Sequence, residues 1–146
     1  MVAIHHNEWV VVCDGARALV FENVGDPDLP NFKTREVLKH KAPPTHEQGT
    51  DAPGRTYSSV GAGRSAVGQT DWHDQTETAF LEGIARQLDV LLAAGEVRSI
   101  VVVAPPRALG VLRRAYSPAL RRAIRSEIDK DLVKMPVYEI EKHLSA

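Results

Sequence analysis

The chain has 146 residues, the length of one domain, and its 43% apolar and 25% charged residues are typical of globular proteins. This composition excludes collagen-like, coiled-coil and fully disordered chains, and a net charge of −1 indicates no class of partner. The longest strongly apolar run, Ile100–Ala104, is far shorter than the roughly 20 residues of a membrane span. With no visible signal peptide and one cysteine, Cys13, we expect a cytoplasmic protein without membrane contact.

The first part of the chain predicts β-structure. Apolar runs at Trp9–Cys13 and Ala18–Phe21 flank Asp14-Gly15, a pair that favours a hairpin because both residues tolerate positive φ. A third strand is predicted over Thr34–His40, after a segment rich in Gly, Asp and Pro that is typical of turns.

The next segment, Lys41–His73, has a different composition. It holds three prolines, five glycines and few large apolar side chains. A stretch of this length without helical or strand periodicity is uncommon inside a domain and is usually functional or disordered. We therefore expect a mobile loop over about residues 41–73.

The second half predicts alternating helices and strands. A long helix begins after Asp74, with Glu77 completing a capping box, and Gly95 ends it. The apolar run Ser99–Ala104 predicts a central strand covered on both faces. Four further elements follow: a helix from Pro105-Pro106 to about Ala115, a short helix after Ser117-Pro118, a weak strand over Ile124–Ile128 and a closing helix over Pro136–Leu144.

The element order predicts the fold class. Residues 1–146 are expected to form a single α/β domain with the order βββαβαβα. Three antiparallel strands followed by right-handed crossovers give a mixed five-stranded sheet with helices on its faces. This is the element order of the ribonuclease H-like fold.

Charge is segregated along the chain although its sum is close to zero. Residues 71–96 hold six acids and one arginine, whereas residues 98–125 hold seven arginines and no acid. Two explanations stay open. The arginines contact a phosphate backbone, or the two segments neutralise each other across the helix layer.

Enzyme and cofactor motifs are each incomplete. Gly61–Ala66 matches a dinucleotide-binding pattern but does not join a strand to a helix, and Gly63–Thr70 resembles a P-loop in which Gln69 replaces the lysine. Asp14 and Glu77 are candidate nuclease carboxylates, but a further carboxylate is missing after Ala104, so a hairpin turn and a helix cap are the favoured explanations. The histidines lack metal-ligand spacing, so we expect neither metal nor cofactor.

Four segments together carry a resemblance that covers nearly the whole chain. These are Trp9–Ala18, Pro53–Arg55, Ala104–Arg113 and Lys130–Leu132, the last followed by the closing helix. Their combination resembles the host attachment protein family of bacteria. That resemblance implies a link to host attachment and implies no catalytic residues.

This family is similar in turn to the middle domain of archaeal and eukaryotic class-one release factors and of Pelota. In release factors, a Gly-Gly-Gln loop ahead of the long helix promotes peptidyl-tRNA hydrolysis. Val67-Gly68-Gln69 stands at the corresponding place, so the resemblance makes Gln69 the candidate catalytic residue. Val67 departs from the pattern because a β-branched residue lacks the backbone freedom of glycine.

The resemblance implies a non-catalytic, release-factor-related cytoplasmic protein that binds the ribosome or tRNA, with hydrolysis through Gln69 as the less favoured interpretation. The alternative is a protein-interaction scaffold linked to host attachment. The sequence leaves the identity of the partner and the oligomeric state open. The candidate RNA-binding residues are Arg55, Arg64, Gly68, Arg107, Arg113 and Arg114.

Overall fold

A computed structural model describes residues 3–39 and 75–145. The strands are β1 (Trp9–Cys13), β2 (Arg17–Asn23), β3 (Phe32–Lys39), β4 (Ile100–Ala104) and β5 (Ile124–Asp129). The helices are α1 (75–93), α2 (Pro106–Ala115), α3 (Pro118–Ala123) and α4 (Val137–His143).

The five strands form one mixed sheet in the order β3-β2-β1-β4-β5. The β1–β2 and β2–β3 pairs are antiparallel, whereas the β1–β4 and β4–β5 pairs are parallel. The predicted α/β class, the mixed five-stranded sheet and its ribonuclease H-like arrangement are therefore confirmed. The parallel strands β1, β4 and β5 begin at the same edge of the sheet, called here the amino end, and finish at the opposite carboxyl end.

Helices cover both faces of the sheet, as the apolar sequences of its central strands require. Every residue of β1 and β4 is buried. On one face, apolar side chains of α1, α2 and α3 pack in a single cluster, which includes Ile84 and Leu88 of α1, Leu112 of α2 and Leu120 of α3. On the other face, Ile140 of α4 packs in a second cluster.

The β1–β2 hairpin forms where the sequence predicts it. Oδ1 of Asp14 accepts hydrogen bonds from the backbone N–H groups of Ala16 and Arg17 at 2.8 and 2.9 Å. A Cβ at Gly15 would lie 2.9 Å from Cδ and Cγ of Glu77, so any larger residue here would displace the Glu77 side chain. Asp14 thus shapes the turn, and Glu77 at the start of α1 packs against it.

The third strand begins two residues earlier than the sequence predicts. Phe32 is its first residue, and its ring stacks on that of Phe21 with 5.7 Å between centroids. The sequence places Phe32 directly after turn-forming residues, whereas long-range contacts hold it in the strand: it pairs with Asn23 of β2, and its backbone N–H donates to Oε2 of Glu141 at 2.7 Å. The predicted last residue, His40, lies outside the described residues.

Candidate nucleic-acid interface

Two short helices, α2 and α3, carry five of the seven arginines of residues 98–125, called here the basic segment. The Pro105-Pro106 pair starts α2, because proline at the first helical position needs no N–H partner. Ser117 caps α3: its Oγ accepts the N–H of Leu120 at 3.0 Å and donates to Oδ1 of Asp89 in α1 at 2.5 Å. These hydrogen bonds fix α3 to α1 and set the position of its arginines.

All five arginines of α2 and α3 are exposed, and neither helix contains an acid. Two adjoining helices therefore present five guanidinium groups on one side of the protein. This set, called here the α2–α3 arginine surface, consists of Arg107, Arg113, Arg114, Arg121 and Arg122.

Arg113 is the member of this surface that is tied to the sheet. Its Nε donates to Oε1 of Glu127 in β5 at 2.8 Å, although just over half of the Arg113 side chain is exposed. The hydroxyl of Tyr116 donates to the other oxygen of Glu127 at 3.1 Å. Burial of Tyr116, followed by the charge of Glu127, raises the pKa of this hydroxyl, so it stays protonated as a donor.

Arg121 covers the ring of Tyr116. Its guanidinium carbon lies 6.0 Å from the ring centroid, and its NH2 group donates to the backbone carbonyl of Arg113 at 2.5 Å. Tyr116 is only 8% exposed. The outer layer of this region is therefore formed by guanidinium groups with the aromatic ring beneath them.

Arg125, the last arginine of the basic segment, is itself exposed but pairs with a buried acid at the amino end of the sheet. Its Nε donates to Oε2 of Glu8 at 2.6 Å and its NH2 group donates to Oε1 at 2.9 Å. Ser99 Oγ also donates to Glu8, and the backbone N–H of His5 donates to the same carboxylate. The Glu8 side chain is 1% exposed, so this ion pair is a structural element.

These ion pairs bear on the two explanations of the charge segregation. Arg113 pairs with Glu127 and Arg125 pairs with Glu8, and neither acid belongs to the acidic segment 71–96. Ser117 of the basic segment donates a hydrogen bond to Asp89 of the acidic segment, which links the two segments without an ion pair. Neutralisation of these two arginines thus comes from the sheet and not from α1.

The carboxyl end of the sheet holds a cavity of about 250 Å³ beside α2. Its lining includes Gly15, Glu77, Thr78, Pro105 and Arg107. Clefts at the carboxyl ends of parallel strands are common ligand sites in α/β proteins. No group of three His, Cys, Asp or Glu side chains that could hold a metal ion occurs within residues 3–39 and 75–145.

Of the predicted site residues, the structure places three on α2, namely Arg107, Arg113 and Arg114. The candidate catalytic residue Gln69 lies outside the described residues, together with Gly68, Arg55 and Arg64 and with the loop predicted over 41–73. Lys39, the last described residue before that gap, pairs with Arg17 of the hairpin at the carboxyl end of the sheet.

The sequence did not reveal the acidic partners of Arg113 and Arg125. Glu8 and Arg125 are 117 positions apart, and only the β1–β4–β5 pairing brings them together. An acid directly before the apolar run of β1 is a weak signal of such a buried partner. Cys13, within that run, is an inert thiol, because burial, with a smaller effect of the Asp14 charge, raises its pKa to about 12.

No helix among the described residues is long and apolar enough to cross a membrane. The sequence profile of a protein family described as "Protein required for attachment to host cells" matches residues 9–144. A search of curated proteins found no match. Among solved structures, the chain is similar to an archaeal translation termination factor, at 9% identity and a TM-score of 0.47, over 84% of this chain and 30% of that one. The chain thus spans less than a third of that protein's length.

Proposed function

The chain belongs to the family of proteins required for attachment to host cells, and we propose that within it the chain is a non-catalytic RNA-binding protein that contacts the ribosome or tRNA in the cytoplasm. The observation that carries this proposal is the α2–α3 arginine surface: five exposed arginines on two adjoining helices without an acid. Such a surface fits a phosphate backbone, because each guanidinium offers a fork of donors that matches phosphate oxygens.

The arginines of this surface are not equivalent. Arg113 forms an ion pair with Glu127, and Arg121 donates to a backbone carbonyl and covers the ring of Tyr116. Arg107 and Arg114 are both exposed and lie seven residues apart on α2, which places them on the same side of the helix. Because one RNA backbone can reach both from that side, we assign phosphate contacts to Arg107 and Arg114 on the ground of this shared position.

The experiment measures co-sedimentation with ribosomes, and the affinity for tRNA, as salt is raised. The variant Arg107→Glu/Arg114→Glu should bind more weakly, and its plot of log K against log [salt] should lose a slope of about 2, since two phosphate contacts are removed. A matched control is Lys33→Glu/Lys142→Glu, which makes the same change of net charge at two exposed positions off α2 and α3. The control should bind as the wild type does.

Two results would contradict the proposal. Ribosome and tRNA binding that is unchanged in the Arg107→Glu/Arg114→Glu variant would remove the arginine surface as the contact. An equal loss in the lysine control would show that only net charge matters.

A protein-interaction scaffold is the second candidate, and exposed apolar side chains before and within the first turn of α4 favour it. Met135, Val137 and Tyr138 lie within four consecutive residues, and 62% of Tyr138 is exposed. Adjacent exposed apolar groups are a feature of protein contact sites. Capture of the same proteins from an extract before and after nuclease treatment, with loss of capture in Tyr138→Ser, would favour the scaffold over RNA binding.

A further inference from the structure

Gly110 lies in the middle of α2, and nothing among the described residues requires a glycine there. Apart from its chain neighbours and the backbone of α2 itself, a Cβ added at this position would meet no heavy atom of the described residues within 4 Å, and the backbone is helical. Glycine inside a helix costs about 0.5–1 kcal/mol relative to alanine, because the unfolded chain loses more conformational freedom. The sequence thus has a destabilising residue here, and the half-buried helix backbone at Gly110 carries no side chain.

Gly110 lies between two arginines of α2, Arg107 and Arg114. Gly110 follows Arg107 by three residues and precedes Arg114 by four, so the three residues form one stripe along α2. At the rise of an α-helix, the two arginine Cα atoms lie about 10 Å apart. The Arg107–Gly110–Arg114 stripe therefore has positive charge at both ends and no side chain at its centre.

The chemistry of the stripe fits a sugar–phosphate backbone better than it fits base faces. Recognition of single-stranded RNA depends on aromatic rings on which bases stack. Among the described residues, the aromatic ring in contact with the α2–α3 arginine surface is that of Tyr116, which is buried, donates to Glu127 and is covered by Arg121. Double-helical RNA is recognised mainly through its shape and its phosphates, which need charge and close approach.

We propose that the Arg107–Gly110–Arg114 stripe is the point at which the backbone of a double-helical RNA comes closest to the protein. Gly110 leaves room for the RNA backbone against α2, and the two arginines contact phosphates on either side of it. This inference rests on the proposed RNA-binding function and adds the class of RNA and the point of contact.

The test fills the space above Gly110 without changing charge. Gly110→Leu should weaken binding to an RNA duplex of about 20 base pairs by about tenfold or more, because a side chain there holds the RNA backbone away from α2. Gly110→Ala should raise the melting temperature through helix propensity while weakening binding to a smaller extent.

The matched control is Gly83 in α1, another helical glycine, where an added Cβ has only the end of the Arg86 side chain within 4 Å, at 3.7 Å. Gly83→Leu should leave the affinity for the RNA duplex within about twofold of the wild type. Thermal unfolding of each variant verifies that the fold is retained, so that a loss of binding reports on the surface.

The probes are the RNA duplex, a single-stranded oligouridine of equal length and a DNA duplex of the same sequence. Preference for the RNA duplex, together with its selective loss in Gly110→Leu, would support the proposal. Unchanged binding in Gly110→Leu, an equal loss in Gly83→Leu, or equal or tighter binding of oligouridine or DNA would overturn it while leaving RNA binding by the arginines standing. Failure of the wild type to bind any RNA, tRNA and ribosomes included, would overturn both.

Discussion

The amino end of the sheet and the outer surface of α2 use arginine in opposite ways. At the amino end, Arg125 donates two hydrogen bonds to the buried carboxylate of Glu8 and a third to the carbonyl of Ala3. On α2, Arg114 is exposed in the last turn. The two arginines are eleven positions apart in a run without acids, so local sequence does not distinguish them. Their roles depend on the acid that the fold brings to one of them.

The comparison predicts that stability and binding separate along the basic segment. An arginine whose partner is buried contributes to folding, because its removal leaves a charge without compensation. An exposed arginine that bonds to no buried acid contributes little to folding and can bind a partner. Substitutions in the two regions can therefore confirm or contradict this division.

The largest effect is expected at Arg125. The substitution Arg125→Ala should lower the free energy of unfolding by about 2–3 kcal/mol, because it leaves the buried carboxylate of Glu8 without its charged partner, while the partial exposure of Arg125 reduces the loss. Urea-induced unfolding measures the change. Replacing both partners, as in Glu8→Leu/Arg125→Met, should recover much of the loss. If Arg125→Ala changed the free energy of unfolding no more than Arg122→Ala does, the division between structural and binding arginines would be wrong.

The same ion pair predicts a dependence on pH. Burial alone would raise the pKa of Glu8, but hydrogen bonds from Arg125, Ser99 and the His5 amide outweigh it and hold the pKa below its ordinary value. The unfolded state therefore binds this proton more readily than the folded state. The stabilisation is complete above the unfolded pKa and is lost as the pH falls through the folded pKa. Unfolding measured from neutral to acidic pH should show this loss in the wild type and a shallower one in Glu8→Gln.

Local patterns in the sequence account for most of the fold. The first strand has the predicted bounds, Trp9–Cys13, because an apolar run ends at turn-forming Asp14-Gly15. The closing helix, predicted over Pro136–Leu144, is observed over Val137–His143. The start of β3 at Phe32 escapes prediction, because it depends on contact with Phe21 and not on neighbouring residues.

The candidate site was predictable only as a list of charges. Counting charges located the arginines of α2, but it did not show that Glu127 partly neutralises Arg113 from 14 residues away. Nor did it single out Gly110, since the space around a helical glycine depends on the packing of all its neighbours. Long-range contacts decide which polar residues are structural, and a single sequence does not contain them explicitly.

An intermediate effect is expected at Ser117, whose hydroxyl group caps α3 and holds it against α1 through hydrogen bonds. The substitution Ser117→Ala removes the cap of α3 and the hydrogen bond to Asp89, so it should lower the free energy of unfolding by about 1 kcal/mol. Ser117→Thr keeps the hydroxyl and serves as the control. A loss as large as that of Arg125→Ala would mean that the two regions do not differ in the way proposed.

The smallest effect on stability is expected at Arg114. Alanine is the better helix former, but Arg114→Ala also removes a cation from the last turn of α2, where it interacts favourably with the helix dipole. These opposing effects should leave the free energy of unfolding within about 0.5 kcal/mol of the wild type. The same variant should bind tRNA more weakly and with a slope against log [salt] reduced by about 1. A destabilised Arg114→Ala with unchanged tRNA binding would give Arg114 the role assigned to Arg125, and the division between the two regions would be wrong.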